Sequence, residues 1–185
     1  MTETAGAANA GIKAGAIAAI VPLAAVGTAY ATGSILILDY VHVLLGAIWT
    51  GVDVFLGLIF SNVISSVDAG TRQGISRRIM PMTLFFIPSA SVAVPAAGLA
   101  LAVREGIFQF SPIFMAILAV GLLLVGSGFA TIFPFSLKLR KIVSSDDASD
   151  SEVRSKLLVI TRGAFLQMIL QIAIISLMAY LVVYG

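Results

Sequence analysis

Cysteine is absent from the 185 residues, and histidine occurs once. The missing thiols exclude disulfides, thiolate metal sites, iron–sulfur clusters and a cysteine nucleophile. The lone His42 excludes any site that takes two histidines from one chain, a bis-histidine haem within one protomer included. Charge is also scarce: 11% of residues are Asp, Glu, Lys or Arg, against about 25% in a soluble domain. The chain has no phosphate-binding glycine loop, zinc-protease signature or serine elbow. Ser34 lies too far from His42 for a triad with Asp39. Apolar residues are what the chain has in abundance: 59% are hydrophobic and the mean hydropathy is +1.08. That composition implies an all-α, polytopic membrane helix bundle with little soluble mass. The net charge of +2 does not point to nucleic acid. The basic residues sit at the ends of apolar segments, where they set topology, so the expected partner is the lipid bilayer.

Five apolar segments are visible, at about 12–31, 34–64, 79–103, 111–137 and 157–184. Each is long enough to cross about 30 Å of hydrocarbon at about 1.5 Å per residue. The spacing predicts five transmembrane helices: a short tail over 1–11, then one helical domain over 12–185. The first segment has a second reading. Lys13, an apolar run and Ala29-Tyr30-Ala31 also resemble a cleavable signal peptide. The long region before Lys13 contains Glu3 and little positive charge, which favours a retained span.

Loops 65–78 and 138–156 hold Arg72, Arg77, Arg78, Lys138, Arg140, Lys141, Arg154 and Lys156, whereas loop 104–110 holds only Arg104. The positive-inside rule places the first two loops and the N-terminus in the cytoplasm, and Gly185 outside. Loop 138–156 also carries Asp146, Asp147, Asp150 and Glu152. They lack the spacing and turn glycine of a calcium loop, so a solvated turn is expected. A short repeat relates Ile64-Ser65-Ser66-Val67-Asp68-Ala69 to Val143-Ser144-Ser145-Asp146-Asp147-Ala148, 79 residues on, as if two helical hairpins were related in parallel. In the third segment Pro81, Pro88 and Pro95 share one face. Pro88 and Pro95 each remove a backbone bond, and Ser89 and Ser91 are near the freed carbonyls.

The second segment carries the clearest signal. Asp39, His42, Gly46, Trp49 and Asp53 recur in steps of three and four, which makes one helical stripe. A polar stripe at membrane depth faces protein, a bound group or water. Counting from the basic loops puts Asp53 about 16 Å deep, level with Ser89, Ser127 and Gln167. This predicts a polar layer across several helices, with a site between segments two, three and five. Arg162 lies one to two turns nearer the basic end, within reach of Asp53, and a buried Asp53–Arg162 pair is expected. The alternative is that Arg162 snorkels to the headgroups and leaves Asp53 to carry a proton.

His42 admits three readings: an interfacial histidine bonded to a carbonyl, an axial ligand to haem b, or a copper or proton carrier. As the metal ligand, His42 would be oriented by Asp39 through its second nitrogen. Trp49 and the glycines at 46, 51 and 57 would admit a flat macrocycle or tight helix packing. Met115 and Met178 fall near the depth of His42.

The run Asp39-Tyr40-Val41-His42-Val43-Leu44-Leu45-Gly46-Ala47-Ile48-Trp49-Thr50-Gly51 resembles a helix-one pattern of small bacterial and archaeal membrane proteins. These are the copper-resistance protein D-like domains and the HemJ-type protoporphyrinogen oxidases. Arg77-Arg78-Ile79-Met80 is similar to their basic lead into helix two. The resemblance implies a four-helix core in segments two to five, an extra N-terminal helix, and a prokaryotic plasma membrane. It also implies haem b ligation by His42 and a basic residue in a later helix, matched loosely by Arg162 or Lys156. Many members have further histidines that this chain lacks. The function expected is that of a haem- or quinone-associated redox protein, or a subunit of a membrane complex, with other membrane subunits or copies of itself as partners. The rivals are a cofactor-free accessory subunit packed through the stripe, and a small ion or solute transporter using Asp53.

Overall fold

The computed structural model describes residues 2–145 and 149–184, with side chains from residue 15 onward except those at 81 and 82. Five helices run through it: α1 (Thr2–Ala31), α2 (Ile35–Ser66), α3 (Ala69–Arg104), α4 (Pro112–Val143) and α5 (Asp150–Tyr184). No strand occurs among the described residues. Each interruption has a local cause. Gly33 and Gly106 take positive φ after α1 and α3, the backbone state that ends a helix and suits glycine. Ser34, Asp68 and Ser111 then start α2, α3 and α4 by accepting a hydrogen bond from the backbone N–H three residues on.

Four helical stretches are long and apolar enough to cross a bilayer: Ile35–Ser66, Thr83–Arg104, Pro112–Val143 and Asp150–Tyr184. The apolar part of α1, Gly15–Ala31, is shorter. Large apolar side chains such as Leu36, Val43, Leu122 and Val182 stay exposed along the bundle, as lipid-facing residues do. The chain is an integral membrane protein with an all-α bundle fold.

The core divides by height. At the basic end α2 to α5 enclose an aliphatic cluster around Leu56, Ile64, Ile87, Leu139, Leu157 and Ile160. Towards the other end the packing is thinner, with Leu45, Trp49, Ala90, Val94 and Leu124 in one cluster and Ala29, Leu38, Ala97 and Leu101 in another. α1 lies along α3, tied by the Ser89 hydroxyl, which donates to the Ala19 carbonyl, and by Arg104, which donates to the Tyr30 carbonyl at 2.9 Å and stacks over the Tyr30 ring.

The hairpins α2–α3 and α4–α5 share construction details. α2 and α4 both begin on a serine cap, and both contain one wider π turn, Phe55–Phe60 and Gly128–Ile132. Both end on a carbonyl capped by an arginine of α3: Arg72 Nε donates to Ile64 at 2.9 Å, and Arg77 Nε donates to Val143. A guanidinium there offsets the partial negative charge of the helix end. Ile64 and Val143 are the first residues of the repeated hexapeptides. Asp146, Asp147 and Ala148 of the second hexapeptide lie outside the described residues. Asp150 pairs with Arg72.

α3 remains helical through Pro88 and Pro95. The serines beside them do not serve the carbonyls those prolines free. Ser91 donates to the Pro88 carbonyl at 2.9 Å, and Ser89 turns outward to α1.

Candidate functional site

The stripe on α2 rotates inward along its length. Asp39 is exposed, His42 and Gly46 are half-buried, and Trp49 and Asp53 are buried. α3 covers its upper part, and α4 and α5 cover its lower part.

Glycine sets the lower contact. A Cβ on Gly57 would lie 2.8 Å from Phe165 Cα and 2.9 Å from Phe165 N, so α2 and α5 touch backbone to backbone. α4 and α5 meet through side chains instead: a Cβ on Gly128 would lie 2.8 Å from Gln167 Nε2, and one on Gly163 would lie 3.0 Å from the side chains of Ile132 and Thr131. These contacts fix the register of the antiparallel helices and bring Gln171, one turn and a half beyond Phe165, against Asp53.

Asp53 is fully buried. Its Oδ2 accepts from Gln171 Nε2 at 3.0 Å, and its Oδ1 has no hydrogen-bond partner among the described residues. Gln167 Nε2 donates to the Leu124 carbonyl at 3.0 Å and to Ser127 Oγ at 3.4 Å. The side-chain oxygens of Gln167 and Gln171 are also buried without a donor among the described residues, and the Trp49 indole N–H is buried without an acceptor among them. The layer therefore holds three buried oxygens that lack a proton donor. Unpaired acceptors are uncommon in a folded interior and call for an explanation. Both π turns border this layer: Phe55–Phe60 begins two residues after Asp53, and Gly128–Ile132 begins under Gln167. Such turns widen a helix locally and often mark functional positions.

Several expected partners are elsewhere. Arg162 is exposed and forms no ion pair with a described residue, so the Asp53–Arg162 pair is replaced by Asp53–Gln171. The reason is register. Depth counted from the loops takes Lys156 as the zero for α5, but α5 begins at Asp150 and the Gly57–Phe165 contact sets the level. Arg162 is left about 13 Å along α5 from Gln171. Ser127 and Gln167 share the layer, whereas Ser89 faces α1. The layer joins α2, α4 and α5, and α3 meets the stripe higher up, at His42.

His42 Nδ1 lies 2.9 Å from the Val94 carbonyl. A carbonyl only accepts, so Nδ1 carries the proton and Nε2 holds the lone pair. The ring occupies the space that glycine leaves at position 98, where a Cβ would come within 2.8 Å of Cε1. Val94 rather than Asp39 orients the imidazole; Asp39 is exposed and makes no hydrogen bond to it. The donor chemistry fits one axial ligand, because a held Nδ1–H with a free Nε2 is the ligating tautomer. The glycines do not supply room for a macrocycle: Gly46 packs on Val94 at 3.7 Å and Gly57 on the Phe165 backbone. Trp49 is enclosed by Leu45, Ala90, Val94 and Leu124 rather than offered to a ligand. Met115 is exposed on α4.

Gln171 is the site residue that sequence reasoning missed. Its signal was present: Gln167 and Gln171 are four apart in an otherwise apolar run, hence on one face of one helix. No protein-family model, curated protein or solved structure matches this chain.

Proposed function

We propose that this integral membrane protein takes up and releases a proton at Asp53, as a small proton-coupled transporter or a proton-handling subunit of a membrane complex. The observation that carries the reading is the carboxylate with one oxygen bonded to Gln171 and the other left without a donor, beside two more unpaired amide oxygens. A proton on Oδ1 turns an acceptor into a donor. Charge is costly at this depth, so protonation and deprotonation there change the energy of the helix contact as well as its bonding. Hard divalent ions take several carboxylates and Asp53 is the single acid of the layer, which favours the proton. The positive-inside rule supports placing the arginine-rich end in the cytoplasm of a prokaryotic plasma membrane, with Gly185 on the other side.

Proton flux into liposomes carrying an internal pH-sensitive dye tests the reading. Wild-type protein is expected to dissipate an imposed pH gradient, and Asp53→Asn to fall to the rate of empty liposomes. Gln171→Leu, which keeps the acid and removes its donor, should shift the pH dependence of flux rather than abolish it. Equal flux from wild type and Asp53→Asn, with both folded, would refute the assignment.

A second reading rests on His42 alone. Its free Nε2 supports haem b ligation, in line with the resemblance to HemJ-type proteins. Purified protein with a Soret band that His42→Ala abolishes would support this reading, and a colourless native protein would remove it.

A further inference from the structure

Where α2 ends against the first turns of α5, the surface opens into a groove of about 270 Å³. Its lining is mixed: Ile64, Leu157 and Leu158 give it an apolar strip, and Ser61, Asn62, Ser65, Thr161, Arg72 and Arg154 surround that strip with polar groups. An apolar strip beside polar groups, at the level where an apolar helix ends, suits a molecule that is itself part apolar and part polar.

The arginines of this corner have different duties. Arg72 is buried and fully engaged: its three nitrogens donate to the Ile64 carbonyl, the Val67 carbonyl and Asp150. It builds the wall and brings no free charge. Arg154 is exposed and makes no hydrogen bond or ion pair with a described residue. Arg162 is in the same condition. Arg154, Leu158 and Arg162 are spaced four apart, so two exposed guanidiniums without a partner among the described residues flank an exposed leucine on one face of α5. Long arginine side chains extend along apolar surface toward the headgroup level, and a guanidinium binds phosphate oxygens in a paired, planar geometry.

We propose that this groove holds an acidic phospholipid of the adjacent leaflet, its phosphodiester on Arg154, its acyl chain over Leu157 and Leu158, and Arg162 adding positive charge from the same face of α5 outside the groove. The charge complementarity is direct: the two cations have no protein counter-ion among the described residues, and the leaflet supplies the anion. Basic pockets between membrane helices recognise headgroups in this way. The inference is independent of Asp53, which lies deeper and on the opposite side of the Gly57–Phe165 contact.

Native mass spectrometry of the purified full chain with an equimolar mixture of phosphatidylglycerol and phosphatidylcholine reads the site directly. Wild type should retain phosphatidylglycerol over phosphatidylcholine by about fivefold or more. Arg154→Gln, which breaks no internal bond, should bring the ratio near one. Leu158→Trp fills the groove without altering charge and should lower retention of both lipids. Lys141→Gln, on the exposed side of α4, should leave the ratio unchanged. A wild-type ratio near one would overturn the proposal, as would a loss in Lys141→Gln equal to that in Arg154→Gln, which marks a diffuse basic surface. Displacement of phosphatidylglycerol by millimolar inorganic phosphate would also overturn it, since the ligand would then be a soluble anion.

Discussion

At two heights the same face of α2 solves the same problem differently. Near the far end a histidine fills a glycine gap in α3; near the middle a glycine of α2 meets the backbone of α5, and an acid lies one turn away. In both places a polar group and a glycine cooperate. Above, the glycine makes room for a side chain, whose Nδ1–H is satisfied by the Val94 carbonyl. Below, the glycine makes room for a whole helix, and the polar group beside it is only half satisfied. A side chain can swing away from an intruding methyl, but a packed backbone cannot. The lower site is therefore the rigid one, and it is there that unpaired acceptors persist.

The largest expected effect follows from that rigidity. Gly57→Ala puts a methyl 2.8 Å from Phe165 Cα, so α2 and α5 must separate. A cost of about 2–3 kcal/mol is expected, read as a lowered midpoint in detergent unfolding. Gly51→Ala, with nothing within 4 Å of its Cβ, should stay within about 0.5 kcal/mol of wild type. Equal midpoints for the two variants would mean that Gly57 does not set the helix register, and the Asp53–Gln171 contact would lose its basis.

Gly98→Ala tests the upper site and should cost less, about 1 kcal/mol, because the obstacle is the tip of a side chain. Its sharper readout is the imidazole. Nitrogen NMR of wild type is expected to show the Nδ1–H tautomer, and the variant should lose that pure signature as the ring leaves Val94. An unchanged histidine spectrum would break the claim that Gly98 seats the ring.

What the amino-acid sequence made legible divides along the same line. Spacing within one helix is local, so the stripe from Asp39 to Asp53 could be read directly, as could the four long apolar helices and the glycines suited to close approach. Partners across helices depend on register, and register was set here by Gly57, Gly128 and Gly163, whose contacts no single segment records. A count from the loop ends was off by about one turn of α5. That was enough to favour Arg162 over Gln171. Nor could spacing foresee that Ser89 serves α1, since nothing in α3 says which face α1 covers. The π turns were equally hidden, because their residues are apolar and unremarkable in composition.

The smallest effect contrasts Asp53 with Asp68, two acids of similar chain position and opposite surroundings. Asp68 is fully exposed at the start of α3 and receives the Thr71 hydroxyl at 2.6 Å and the Thr71 N–H at 3.0 Å. The hydroxyl bond first, and the backbone bond second, favour the charged carboxylate and hold Asp68 below its ordinary value of 3.8. A lowered folded value means the cap contributes fully above the unfolded carboxylate range, and the contribution is lost as pH falls through the folded value. Asp68→Asn keeps a capping oxygen but cannot ionise. Wild type should therefore melt slightly above the variant at neutral pH, with the gap closing as pH falls below the ordinary carboxylate range. Salt should not erase the gap, because two hydrogen bonds rather than a distant charge create it. Melting curves that stay parallel from neutral to acid would show that the charge on Asp68 adds nothing to the cap. The solvated acid would then offer no measure of what ionisation is worth at the helix start, against which the buried one could be compared.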